Sequence, residues 1–234
     1  MNPEEYARLR ALEDWYWWFV ARRAAAIRFL GAYAPKVTPL HVLEVGCGTG
    51  GMLRDLGALP DVEAVGVDVS LQALRLCQAP HARGLVLASA ERLPFSDCRF
   101  HAVTALDVIE HVTDDGAAAR EIARVLRPGG VAIVTVPAYQ WLWSRHDDAL
   151  HHRRRYHARQ LRDLLTDAGL EVAWLTALIA ALFPVAAAMR LAQRLAPISH
   201  VPRAEIVPVP RPLNRLLVAF HRWEAALAQY VRLP

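Results

Sequence analysis

Leu43-Glu44-Val45-Gly46-Cys47-Gly48-Thr49-Gly50-Gly51 carries the strongest fold signal in the chain. It begins inside a short apolar run, Leu40 to Val45, that reads as a buried strand, and Met52 to Leu59 fit a helix. Strand, glycine turn and helix together cradle an adenosine-containing cofactor. Glycines let the backbone turn tightly and approach the ligand, and the helix start presents free N–H groups. Many folds use glycine turns, so the loop takes its meaning from the residues on its C-terminal side.

Those residues alternate between two periods. Strand candidates at Leu40–Val45, Glu63–Val67, Gly84–Leu87, Ala102–Leu106 and Val131–Val136 are interleaved with helix candidates at Met52–Leu59, Leu71–Ala79, Gly116–Leu126 and Ala158–Ala168. Arg127-Pro128-Gly129-Gly130 reads as a helix stop and a turn into the next strand. The pattern predicts a doubly wound α/β fold: a mostly parallel, Rossmann-like sheet with helices on both faces. Residues 4–33 read as one helix, with Trp15, Trp18, Phe19, Ile27 and Leu30 among its apolar positions. The expected division is an N-terminal helical lid (1–36), a core (37–176) and an apolar helical C-terminal extension (177–234).

The extension is the least regular part. Val172 to Met189 is free of charged residues and reaches the lower bound for a membrane span, but Pro184 interrupts it. A core strand, Leu170 to Leu175, followed by an apolar helix is the preferred reading. Prolines at 197, 202, 208, 210 and 212 exclude a central strand there. Residues 213–231 return to helical period, with Leu213, Leu216, Leu217, Phe220, Leu227 and Val231 on one stripe and Arg215 and Arg222 off it.

Composition narrows the class. The 234 residues suit one α/β domain with a small appendage, and 54% apolar residues supply a full core. A net charge of +4 with scattered arginines is too little for a nucleic-acid protein, so no nucleic-acid partner is expected. Cys47, Cys77 and Cys98 are odd in number and lack metal-site spacing, which implies a reduced, cytoplasmic setting. The first residues carry acids and tryptophans where a secretion signal would be basic and then apolar.

Three further motifs bear chemistry. Asp68 closes the second strand in Val65-Gly66-Val67-Asp68-Val69, beside the glycine loop, where a carboxylate can accept both ribose hydroxyls. A helix N-cap role competes, but Ser70 serves that purpose better. Ser89-Ala90-Glu91-Arg92-Leu93-Pro94-Phe95 follows the third strand, and Asp107-Val108-Ile109-Glu110-His111 ends the fourth. With the glycine loop, this ordered set resembles the class I S-adenosylmethionine-dependent methyltransferases, in particular the small bacterial branch with "AERLPF" and "D-x-x-EH" after strands three and four. The loop lacks the last step of the dinucleotide fingerprint, which counts against a nicotinamide dehydrogenase.

The resemblance implies the cofactor S-adenosylmethionine, released as S-adenosylhomocysteine, and it implies roles. Glu44, Gly46, Cys47, Gly48 and Gly50 would line the methionine and ribose portion, and Asp68 would take the ribose diol. Val69 would pack on adenine, and Ala90 with Ser89 and Glu91 would meet its edge. Many relatives have aspartate in place of Ser89. Asp107 would hold the amino group. The N-terminal Trp15-Tyr16-Trp17-Trp18-Phe19-Val20-Ala21-Arg22-Arg23 resembles the "WWF-x-x-RR" helix of the same branch. It reads either as a lid with Arg22 near the cofactor carboxylate or as a helix packed on the domain.

Downstream of the fifth strand, Tyr139-Gln140-Trp141-Leu142-Trp143-Ser144-Arg145-His146-Asp147 and His151-His152-Arg153-Arg154-Arg155-Tyr156 place aromatics, histidines and arginines where an acceptor binds. His146 with Asp147 could act as base and orienter; His111 is a weaker candidate. The competing explanation is that these side chains pin the loop to the domain. No acid–histidine set has the regular spacing of a metal site, so none is expected. The expected activity is methyl transfer to an O or N atom of a small-molecule, lipid-like or peptide acceptor. A non-catalytic cofactor-binding subunit or sensor and a membrane-peripheral scaffold are the rivals. Residues 177–234 are expected to make peripheral membrane contact or a homodimer. A chain truncated after Pro234, or a sheet short by one strand, is the alternative expectation for its end.

Overall fold

The computed structural model describes residues 3–195 and 209–233; Pro197, Pro202 and Pro208 fall outside them. Five strands form one wholly parallel sheet: β1 (Leu40–Val45), β2 (Val62–Asp68), β3 (Gly84–Leu87), β4 (Phe100–Leu106) and β5 (Leu126–Thr135), in the order β3-β2-β1-β4-β5. Register runs without a break between β1 and its neighbours, with Val45 opposite Val67 on one side and Ala105 on the other. The central strands β1, β2 and β4 are mostly apolar because both of their faces are covered. Leu43, Val45, Val67, Val103 and Ala105 pack on one face against Ile122, Val125, Leu161 and Leu165. Val42, Ala64 and Ala102 pack on the other against Leu30, Met52, Leu53 and Leu56.

The helices are α1 (Pro3–Leu12), α2 (Trp17–Tyr33), α3 (Gly51–Gly57), α4 (Leu71–Leu76), α5 (Asp115–Val125), α6 (Arg145–Ala149), α7 (Ala158–Asp167), α8 (Phe183–Leu195) and α9 (Arg211–Leu227). Several expectations need correction. The single helix over 4–33 is two, broken at residues 13–16. Side chains take the carbonyls that would have continued it: the Arg23 guanidinium donates to Glu13 O at 2.6 Å, and the Asn214 amide donates to Trp15 O at 2.7 Å. Of the tryptophans read as apolar positions, Trp15 and Trp18 stand exposed. Arg127–Gly130 is a bulge rather than a turn before a strand. Phe100 pairs with Leu126 and Ala102 with Val131, so β5 starts directly at the end of α5.

Leu170, Val172 and Leu175 pack against the core, but Leu170–Leu175 forms no strand. The region is held by the C-terminal residues instead: Trp174 Nε1 donates to Ala228 O, Ala177 N to Leu233 O and Leu233 N to Thr176 Oγ1. No helix among the described residues is long and apolar enough to cross a membrane.

The apolar stripe of α9 points outward. Leu213, Leu216, Phe220, Leu227 and Val231 are exposed, while Asn214, His221, Glu224 and Ala225 are buried. The polar side is inside because each of its residues has a partner. Asn214 accepts from Trp17 N at 2.9 Å, the His221 ring stacks on Trp17 and pairs with Glu224, and Glu224 accepts from Ala181 N.

Candidate active site

Strand order reverses at β1, so the loops leaving β1 and β4 open a crevice at the carboxyl edge of the sheet, the usual ligand site of such folds. The two loops touch. A Cβ at Gly46 (φ +68°) would lie 2.5 Å from Val108 Cγ2, so only glycine fits. At Gly48 (φ +53°) the nearest atom to such a Cβ is Leu9 Cδ2 at 4.0 Å, so this turn of the loop faces open space. Asp68 is buried beside it. One carboxylate oxygen accepts from Gly48 N and the other from Ser70 N, both at 2.8 Å. Burial raises its pKa against these donors. Ser70 caps α4 through Ala73 N, so the Asp68 carboxylate is not needed as the cap.

Val69, exposed and next to Asp68, offers a flat apolar contact, and Ala90 is buried across the crevice. Ser89 donates to Glu91 Oε2 at 3.1 Å and accepts from Glu91 N, while Glu91 Oε1 accepts from Asp114 N. Glu44 lies in the interior of β1 against Thr104, and burial pushes its carboxyl up to about 8. Asp107 (φ +56°) is fixed by the Thr135 hydroxyl at 2.8 Å and by Arg22 of α2. Burial alone would raise its carboxyl, but the Arg22 charge and these hydrogen bonds outweigh it and hold the group below its ordinary value.

Arg22 therefore meets the acid at the end of β4 directly. The N-terminal helices also contribute Tyr6, Leu9 and Tyr16 to the wall. Tyr6 carries no motif that would mark it in sequence, yet its hydroxyl pairs with Ser70 close to Asp68. The cavity is about 1940 Å³, against roughly 300–1,000 Å³ for a typical small-molecule site. It is large enough for a cofactor and an acceptor together.

Beyond Asp107, the loop around α6 and the run 151–156 fold back onto β4. Arg153 Nε donates to His111 O, Arg154 to Val112 O and Thr113 O, and the Tyr156 hydroxyl reaches Ile109 O and Asp115. Asp147 has no exposed surface. It accepts from Ser144 N in a capping box, from His152 Nδ1 at 2.9 Å and from Arg155 at 2.7 and 2.9 Å. Its partner is thus His152, not the His146 beside it in sequence, because successive helical residues point in different directions. Burial, with the nearby Arg190 charge, lowers His146 to about 4, and its Nδ1 has no partner among the described residues. Burial and His152 likewise lower His111 to about 4. Both imidazoles are neutral at pH 7 and are weak bases for a hydroxyl. Pinning accounts for Arg153, Arg154, Arg155 and Tyr156.

Parallel order, the glycine loop, the acid ending β2 and the acid after β4 together match a class I, Rossmann-like methyltransferase fold. Residues 43–134 match the methyltransferase domain family, and over that part the chain is similar to class I S-adenosylmethionine-dependent methyltransferases. The chain is 32% identical to the O-methyltransferase cnsE of Penicillium expansum over 40% of its own length and 37% of that protein's. It is 31% identical to demethylmenaquinone methyltransferase of Chlorobaculum tepidum (53% and 50%) and 35% identical to the malonyl-[acyl-carrier protein] O-methyltransferase of Pseudescherichia vulneris (50% and 49%). It spans half or less of the length of these relatives. Among solved structures, the fold is similar to a complex of the Haloferax volcanii Trm112 methyltransferase activator with a methyltransferase (TM-score 0.60, 24% identity, 79% of this chain and 88% of that one). It also resembles the [4+2]-cyclase SpnF (TM-score 0.55, 21% identity, 87% and 74%). S-adenosylmethionine is the cofactor of this family, and the donor set of Gly48, Asp68 and Asp107 fits it.

Proposed function

We propose that the chain transfers a methyl group from S-adenosylmethionine to an oxygen of an apolar small-molecule, lipid-like or peptide acceptor. The observation that carries this reading is one continuous cavity. It runs from the Gly46–Asp68 cradle past Asp107 to His146, with Trp17, Trp18, Tyr139, Phe183 and Met189 on its walls. The bound cofactor supplies an activated methyl on a sulfonium. The protein's task is to hold the acceptor oxygen in line with that methyl and keep water away, which is worth about 7–11 kcal/mol at most. Asp68 fixes the nucleoside end and Asp107 the amino-acid end. The helices over 1–36 close the cavity as a lid, with Arg22 as their tie to the core. Transfer from labelled S-adenosylmethionine to a lipid extract and to a pool of small hydroxylated compounds tests the reading, with Asp68→Ala as control. No transfer to either, despite tight cofactor binding, would sink it.

That outcome would favour a second reading, cofactor binding without methyl transfer. The observation behind it is that a [4+2]-cyclase has a similar fold, so the fold by itself does not fix methyl transfer as the outcome. Lipid-surface contact by residues 177–234 is also proposed. This region holds seven arginines against two glutamates, whereas the rest of the chain has 20 basic and 21 acidic residues. Next to those charges lie the exposed apolar side chains of α8 and α9. A cytoplasmic protein touching an anionic leaflet fits both features, and a homodimer through the same face is the competing arrangement.

A further inference from the structure

A cluster of one carboxylate and two imidazoles opens on the same cavity, and cofactor binding leaves it without a role. Glu110 follows β4, has no exposed surface, and neither of its carboxylate oxygens has a hydrogen-bond partner among the described residues. A buried carboxylate in that condition is costly unless a cation meets it. The guanidiniums nearby are committed elsewhere: Arg22 to Asp107 and Arg155 to Asp147. Asp107 and Asp147 thus each hold one of these arginines, and Glu110 is left without one.

His111 and His152 stand beside Glu110. Their rings are 4.6 Å apart at 78°, and one ligand atom from each of the three residues lies within 4.8 Å of the other two. Both rings are held from behind. His152 Nδ1 is hydrogen-bonded to Asp147 Oδ1, which Arg155 and Ser144 fix in turn, and the His111 ring is hydrogen-bonded to the backbone of His151. Carboxylate and carbonyl partners behind imidazoles are what metal-bound histidines use to aim their other nitrogen.

We propose that Glu110, His111 and His152 bind one divalent first-row transition-metal ion, with open positions that take a hydroxyl oxygen of the acceptor. Two imidazoles and one carboxylate suit zinc, manganese or iron; magnesium and calcium prefer all-oxygen sets. Bonds of about 2.0–2.2 Å place ligand atoms roughly 3–3.5 Å apart, so the three side chains need to close in by little more than 1 Å. Three protein ligands leave sites free on the cavity side, as catalytic metals require. The acceptor's part in this inference rests on the methyl-transfer reading; the ion's does not. In that reaction a metal-bound acceptor hydroxyl loses its proton to water. Its oxygen then forms the new C–O bond as the C–S bond breaks, and the electron pair of that bond stays on sulfur.

The test is equilibrium dialysis of chelator-stripped protein against zinc ion alone, read by elemental analysis, with visible absorption of a cobalt(II)-loaded sample as a second readout. About one tightly bound zinc per chain is expected, with Glu110→Gln, His111→Ala and His152→Ala each weakening it at least tenfold. His81→Ala, at an exposed histidine away from the cluster, should change nothing. Glu110→Gln conserves shape, and each variant's melting temperature without metal reports whether it is folded. Wild type without zinc, or folded cluster variants that hold it as tightly as wild type, would overturn the proposal. Asp68→Ala should lose cofactor and keep zinc. Failure of the methyl-transfer reading would leave the zinc result standing, so the two can fail separately.

Discussion

Substituting Asp68 should separate ligand recognition from loop architecture. Its carboxylate accepts from Gly48 N and Ser70 N at 2.8 Å each and retains lone pairs for a ribose diol. Asp68→Asn keeps one acceptor oxygen and replaces the other with a donor, so one of two hydroxyl contacts is lost. A hydrogen bond to a charged group is worth about 1.5–3 kcal/mol, which predicts a Kd for S-adenosylmethionine about 10- to 150-fold weaker. Asp68→Ala loses both contacts and should weaken binding more than about 150-fold. It also leaves the Gly48 and Ser70 N–H groups without their acceptor, and a cost of about 1–3 kcal/mol lowers the melting temperature by roughly 2–12 °C in a chain of this size. Ser70→Ala is the control. It removes the α4 cap, for about 1 kcal/mol, and the Tyr6 hydroxyl's partner, while keeping the Asp68 carboxylate, and should change the Kd far less than Asp68→Ala does. Isothermal titration with S-adenosylmethionine, paired with thermal melts, reads all three variants. A folded Asp68→Ala protein that binds within threefold of wild type would refute the assignment.

Three other outcomes are expected. Asn214→Ala strips the partners from Trp15 O and Trp17 N at the start of α2, and should cost about 2–4 kcal/mol in a denaturant melt. Burial would raise the Asp115 carboxyl, but hydrogen bonds from Arg154 and Tyr156 outweigh it and hold it low. A lowered folded pKa stabilises above the unfolded value near 4, and that stability is lost as pH falls through the folded value. Asp115→Asn should therefore flatten the acid limb of a stability–pH curve. Trp223 is exposed on the apolar side of α9, so vesicles rich in anionic lipid should shift its fluorescence to the blue. Leu216→Glu with Phe220→Glu should abolish co-flotation, and wild-type protein that stays at the bottom of the gradient would remove the surface-contact reading.

The parallel sheet and its crevice were legible because both depend on local pattern. Apolar strands of a sheet covered on two sides, a glycine turn at positive φ and an acid ending the next strand all leave their mark within a few residues. The features that escaped depend on partners far along the chain. The helix over 4–33 breaks because Arg23 and Asn214 claim its carbonyls, and no window of sequence contains Asn214 with Trp15. The stripe on α9 was legible as a period, but which side of the helix is buried was not. A buried Asn–His–Glu edge outcompetes an apolar one only when its polar residues find partners, and those partners lie in α2 and beside α8. Asp147 next to His146 suggested a base and its orienter, yet the capping box of α6 turns the acid toward His152 and Arg155. Glu110 and His111 were visible as a motif, but the third member of their cluster arrives only when Arg153, Arg154 and Tyr156 clamp the later loop against β4.

Helix α2 is clamped at two points with different clients. Its first residue hangs from Asn214 of α9, and Arg22, little more than one turn further, grips Asp107 at the mouth of the crevice. Five residues of helix span only about 7.5 Å and do not bend. A shift of α9 that carries Trp17 with it would displace Arg22 relative to Asp107. Whatever docks on that flank and whatever fills the crevice would each alter the other's affinity by the same factor, since linkage between two binding events is reciprocal. The C-terminal helix is in this sense a lever whose short arm ends at the cofactor.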